Sequence, residues 1–112
     1  MEITITRTTA PKAKPDESKM GFGRLFSDHM FIMEYEDGKG WFNPRIQPYQ
    51  PLLIDPASPV LHYGQEIFEG MKAYRAANDD ILLFRARENA KRLNRSAVRM
   101  CMPEVDVEFN YE

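Results

Sequence analysis

The segment from Ala86 to Met102 constrains this chain most, because its apolar residues keep helical spacing over several turns. Ala86, Ala90, Leu93, Ala97 and Met100/Cys101 recur at steps of three and four and form one stripe. Pro103 cannot extend a helix, so the spacing predicts a helix over about 86–102. Cys101 falls on the stripe and is expected to be an inert core thiol. Asp106 is placed to cap a further helix beginning at Val107. That element has barely one turn before Glu112, and a chain that ends where an element begins reads as truncated.

Upstream of the helix the patterning is that of strands and turns. Ile3-Thr4-Ile5-Thr6 alternates apolar and polar and predicts an edge strand. Pro11 to Asp16 reads as an extended linker, since each proline fixes its own φ and restricts the residue before it. Met30 to Tyr35, Glu36-Asp37-Gly38-Lys39-Gly40 and then Trp41-Phe42 predict a hairpin with turn chemistry at Asp37-Gly38. Arg45 to Tyr49 and Leu52-Leu53-Ile54 predict a further strand interrupted by prolines, hence an edge or a bulge. Gly64 to Glu69 reads as one turn of helix. Met71 to Arg75 and Ile81 to Phe84 predict two strands joined by a loop at residues 76–80.

Composition sets the outer bounds. At 112 residues the chain fits one small domain. A net charge of −2 gives no electrostatic reason to expect nucleic acid or a membrane surface as partner. No apolar run approaches the length of a membrane span, and the first residues lack the apolar core of a secretory signal. A single cysteine allows no intrachain disulfide and fits a reducing, cytoplasmic setting. His29 and His62 are not spaced as ligands with any Cys or carboxylate pair, so no metal site is expected.

Three collinear blocks carry a resemblance. The first runs from Phe22-Gly23-Arg24-Leu25-Phe26 through Asp28-His29-Met30-Phe31. The second is Asn43 to Tyr49 with His62-Tyr63-Gly64-Gln65-Glu66-Ile67-Phe68-Glu69-Gly70-Met71-Lys72-Ala73-Tyr74. The third is Leu83 to Ala97. In this order and spacing they resemble the branched-chain amino acid aminotransferases, pyridoxal-phosphate enzymes of fold type IV. The resemblance spans roughly residues 20–103. One departure is Ala86, where the family usually begins its helix with a proline.

The resemblance implies an α+β fold: a small, antiparallel-rich β-sheet with one long helix, about residues 86–102, packed on it. Residues 1–19 would form an N-terminal strand and linker. Residues 20–112 would be the incomplete N-terminal small domain of a two-domain enzyme. It implies pyridoxal 5′-phosphate as cofactor, amino acids and 2-oxo acids as substrates, and a homodimer when full-length. Neither nucleic acid nor a membrane is an expected partner.

Site residues follow by matching positions. Arg92 matches the family's phosphate-binding arginine, a task suited to a planar, always-charged fork. From residues alone, an arginine in 85–99, where six basic side chains meet one acidic, is an ordinary solvated group. Phe22, Tyr63 and Phe68 match positions lining the family's branched-chain pocket, although core packing is the plain alternative for Phe68. Lys72 lies in the best motif but reads as an exposed lysine on a strand. The family's Schiff-base lysine would lie beyond residue 112, so no catalytic residue is assigned here and the piece alone is expected to be inactive. Asp28 and His29 read as structural groups at the hairpin entry.

The implied activity is transfer of an amino group from leucine, isoleucine or valine to 2-oxoglutarate. D-amino acid aminotransferases and aminodeoxychorismate lyases share the fold and are the alternative within the same cofactor class. A non-catalytic dimerisation fragment is a further one.

Overall fold

The computed structural model describes residues 1–111, the Glu17 side chain excepted; Glu112, the last residue of the expected 20–112 domain, lies outside them. The chain divides into two units, Met1–Leu53 and Ile54–Glu112.

The first unit is a three-stranded sheet in the order β1-β3-β2, with β1 at Thr4–Ile5, β2 at His29–Glu36 and β3 at Gly40–Pro48. β2 and β3 form the predicted antiparallel hairpin. Gly38 and Gly40 both take positive φ at its turn, where the absence of a Cβ removes the steric cost. The cross-strand pair Tyr35 and Trp41 meets edge-on with ring centroids 5.2 Å apart. β1 lies on the other side of β3 and runs parallel to it, so residues 4–5 join the sheet as its edge.

The further strand expected from Arg45 is not a separate one: Trp41-Phe42 and Arg45 to Pro48 lie in the single strand β3, which ends at Pro48. The register with β2 shifts between Ile32 and Glu34, where Asn43 and Pro44 together oppose one residue. Asn43 is left-handed, with φ of 53°. A bulge leaves one residue out of the ladder, so the missing N–H of Pro44 costs no strand hydrogen bond. The bulge also gathers polar groups: Arg45 Nη1 donates to Glu34 Oε1 at 2.6 Å and Asn43 Nδ2 donates to the same oxygen at 3.0 Å. Leu52-Leu53-Ile54 does not form the expected strand; it is irregular and exposed, as nothing pairs its backbone into a ladder.

The second unit begins with a helical turn, α1, at Pro59–His62. The expected turn at Gly64–Glu69 is therefore displaced upstream. Pro59 stands at the start of α1, where its fixed φ suits a helix. Gly64 at φ 59° closes the turn instead of opening one. β4 (Ala73–Arg75) and β5 (Ile81–Leu83) form the predicted antiparallel pair. Their loop is closed by Ala76 N–H donating to Asp80 O at 2.8 Å.

The long helix, α2, covers Ala86–Arg99. It stops before the expected Met102, and Cys101 rather than Pro103 is the reason. Cys101 takes a left-handed conformation at φ 54°. Its N–H donates to Val98 O at 3.2 Å, and the Met102 N–H donates to Ala97 O at 2.8 Å. These two bonds satisfy carbonyls of the last turn and end the helix. The same turn places Cys101 in solvent, so it is an exposed thiol and not the expected core residue.

α3 (Val107–Tyr111) starts where predicted. Asp106 Oδ1 accepts from the Phe109 N–H at 2.8 Å, the bond of an N-cap. α3 is the principal neighbour of α2 within the second unit, whereas the three-stranded sheet belongs to the first. Mixed α and β elements with small sheets are thus present as expected. The buried apolar side chains of the helix are Ala86, Ala90 and Ala97, which lie on the predicted stripe.

A left-handed residue other than glycine is strained by roughly 1–2 kcal/mol. Cys101→Gly should therefore stabilise the second unit by about 0.5–1 kcal/mol, read as a higher urea midpoint for loss of helical circular dichroism. An unchanged or lower midpoint would count against the left-handed cap.

Candidate functional site

The polar centre of the second unit is the ion pair between Arg92 and Glu69. Residues 64–70 are irregular, and Arg92 sits mid-way along α2, 23 residues further on. Arg92 Nε donates to Glu69 Oε2 at 2.7 Å, and Nη2 donates to Oε1. The guanidinium therefore grips the carboxylate through two parallel bonds, the geometry its fork favours.

Glu69 is itself held. Its Oε1 accepts from Asn89 Nδ2 at 3.0 Å and from the Gly70 N–H at 3.0 Å. Asn89 also donates to Gly70 O at 2.8 Å, tying the loop to α2 by a second bond. Asn89 and Arg92 are three residues apart on the helix, so they present to the same side. The Glu69 side chain keeps 12% of its surface exposed and that of Arg92 59%. The carboxylate is thus the inner partner and the cation the outer one.

These contacts set the charges. Hydrogen bonds from Arg92, then from Asn89, lower the Glu69 carboxyl from 4.5 to about 2. The bond to Glu69 and its negative charge raise Arg92 above its ordinary value. Both groups are ionised through the neutral range.

The other expected site residues are placed differently. Phe22 lies in the first unit and is fully exposed, at 102%. Tyr63 ends α1, and its backbone N–H donates to Pro59 O at 2.8 Å. Tyr63 and Phe68 are each 87% exposed. The second unit alone does not bury either ring, so neither acts there as the core residue considered for Phe68. Phe68 and Glu69 are consecutive, which places the ring next to the residue that binds Arg92.

Lys72 is exposed, with Nζ 5.3 Å from the Tyr74 ring centroid, as expected of a surface lysine. His29 Nε2 accepts from the Thr8 N–H at 2.9 Å, and Asp28 Oδ1 accepts from the Lys12 N–H at 3.2 Å. Both serve the hairpin entry, matching the structural role expected of them. Among the described residues no helix is long and apolar enough to cross a membrane.

Glu69 and Asn89 were given no role on sequence grounds. Asn89 was legible as the residue one turn before Arg92. Glu69 was not, because its partner is distant in sequence and a carboxylate beside a glycine signals only a loop.

Comparison with known proteins bears on this arrangement. No protein-family model matches the chain. Curated relatives do, and they are aminotransferases. "Branched-chain-amino-acid transaminase 1" of Bacillus subtilis is 56% identical over 110 residues, 98% of this chain. "Branched-chain-amino-acid aminotransferase 2" of the same organism is 53% identical over 106 residues, 95% of this chain. The cytosolic branched-chain-amino-acid aminotransferase of Saccharomyces cerevisiae is 48% identical over 108 residues. The chain spans 31%, 29% and 28% of the lengths of these three relatives. Almost all of this sequence therefore matches a stretch of aminotransferase, and the particular aminotransferases are those of branched-chain amino acids.

The ion pair makes a pH prediction. A carboxyl lowered in the folded state adds stability above its unfolded value, near 4.5. That stability is lost as pH falls through the folded value of about 2. An NMR titration should show the Glu69 side-chain carboxyl carbon still in its ionised position at about pH 3.5. Titration near 4.5 would remove the pair.

Proposed function

We propose that these residues are part of a pyridoxal-phosphate-dependent branched-chain amino acid aminotransferase and that Arg92 contributes to binding the cofactor phosphate. The supporting observation is an exposed guanidinium, held on one edge by Glu69, within a chain that is 53–56% identical to two branched-chain transaminases. Such a guanidinium fits a phosphate group: it is charged at every working pH and keeps N–H donors in hand after meeting the carboxylate.

The cofactor, when bound, acts as an electron sink that lets an amino group pass between an amino acid and a 2-oxo acid. The Schiff-base lysine is supplied by sequence other than these residues. Lys72 is not assigned that role, since it is a surface side chain over Tyr74. Tyr63 and Phe68 contribute apolar walls around the substrate side chain once the rest of the enzyme covers them, and the assignment of Phe22 rests on its matching position alone. Their exposure supports that reading: the Tyr63 and Phe68 rings are each 87% open and so are unused apolar surface. Exposed apolar rings also fit a polypeptide that works as a homodimer, and its single cysteine fits a cytoplasmic setting. A pair of branched-chain relatives above 50% identity favours this substrate class over D-amino acids or aminodeoxychorismate.

Two measurements test the reading. Full-length protein should form glutamate from 2-oxoglutarate in the presence of leucine, isoleucine or valine; exchange with none of the three would remove the assignment. Phe68→Ala should lower kcat/KM for leucine about tenfold, ~1.4 kcal/mol, while changing it little for alanine. An equal loss for both substrates would remove Phe68 from the side-chain pocket.

A further inference from the structure

Arg92 carries two roles that must share one planar group. It binds Glu69 and, on the proposed reading, a phosphate. A guanidinium has five N–H donors arranged around a fork. Glu69 uses the Nε–H and one Nη2–H. The remaining edge, formed by Nη1 and the outer Nη2–H, is free of Glu69. The inner edge is therefore committed and the outer edge is available.

We propose that Glu69 is a positioning residue for Arg92: by clamping the Nε–Nη2 edge it fixes the guanidinium plane and presents the Nη1–Nη2 edge to the phosphate of the cofactor. This rests on the assignment of Arg92 under Proposed function. Four hydrogen bonds converge on the carboxylate, two from Arg92, one from Asn89 and one from the Gly70 backbone. A support so anchored cannot turn without breaking ties to both the loop and the helix. It thereby removes the rotamer freedom that a long arginine would otherwise lose on binding its ligand.

The surroundings point the same way. Arg92 lines an open hollow of about 610 Å³ with Arg95, Ser96, Arg99 and Met100. Three of those five residues are arginines, so the hollow suits an oxyanion. A carboxylate on an arginine can also compete with an anionic ligand. Here it occupies the inner edge of the fork and is the more buried partner, which makes it a support.

The test uses full-length apoenzyme reconstituted with pyridoxal phosphate and, separately, with pyridoxal, which lacks the phosphate. Glu69→Gln removes the charge and one of the two acceptors while keeping the side chain's size. It should weaken pyridoxal phosphate binding about tenfold, move the ³¹P resonance of the bound cofactor, and leave pyridoxal affinity unchanged. Asn89→Ala should act in the same direction by about threefold, and it keeps the question open to measurement should Glu69→Gln not fold. Tighter or unaltered pyridoxal phosphate binding in the folded variants would overturn the positioning role, Glu69 being then a competitor or a bystander. Arg92→Ala separates the two claims. A loss of pyridoxal phosphate affinity in Arg92→Ala without one in Glu69→Gln leaves the phosphate assignment standing and ends this proposal. No loss in Arg92→Ala ends both.

Discussion

Side-chain hydrogen bonds reaching out from α2 hold the second unit together, because apolar burial there is slight. The buried apolar residues of the helix are three alanines. Burying a methyl-sized group contributes only about 0.8 kcal/mol. The polar ties are correspondingly many. Arg92 and Asn89 secure the loop at Glu69 and Gly70. Gln65 Nε2 donates to Met100 O at 3.0 Å. Asn94 takes both backbone groups of Val105, donating to its oxygen at 2.7 Å and accepting from its N–H at 3.0 Å. Arg87 bonds Glu108 on α3 and stacks on Tyr111. The alanines matter for shape, since small residues allow neighbouring backbone to approach the helix.

That design has a consequence for function. Polar ties fix direction, whereas apolar packing fixes volume. The loop that carries Phe68, Glu69 and Gly70 is held in direction by α2, while Phe68 itself remains in solvent. The part of the proposed site that binds charge is therefore assembled within this unit. The part that would enclose an apolar side chain is open. The chain spans about a third of the length of the relatives it matches.

The sequence was most legible where one local rule decided the outcome. Asp106 capped α3 because a short carboxylate before a helix can reach an unpaired N–H. Asp37-Gly38 turned the hairpin because glycine tolerates positive φ. It was least legible where two rules met. The patterning put Trp41-Phe42 and Arg45 to Tyr49 in separate strands, yet the bulge at Asn43 and Pro44 let β3 run on from Gly40 to Pro48. Apolar spacing put Cys101 on the helix stripe, yet a left-handed turn took it off the helix and into solvent. The turn expected at Gly64 moved to Pro59, since proline suits a helix start and glycine its end.

By itself the sequence determined the β2–β3 hairpin turn, the β4–β5 pair, the long helix with its alanine stripe, the cap of α3, and the matching blocks that single out Arg92, Tyr63, Phe68 and Phe22. Those depend on spacing along the chain, which sequence records directly. Only the tertiary structure decided that Glu69 holds Arg92 and that Asn89 holds Glu69. Residues 23 apart become neighbours through the path of the backbone between them, and no local periodicity encodes that path.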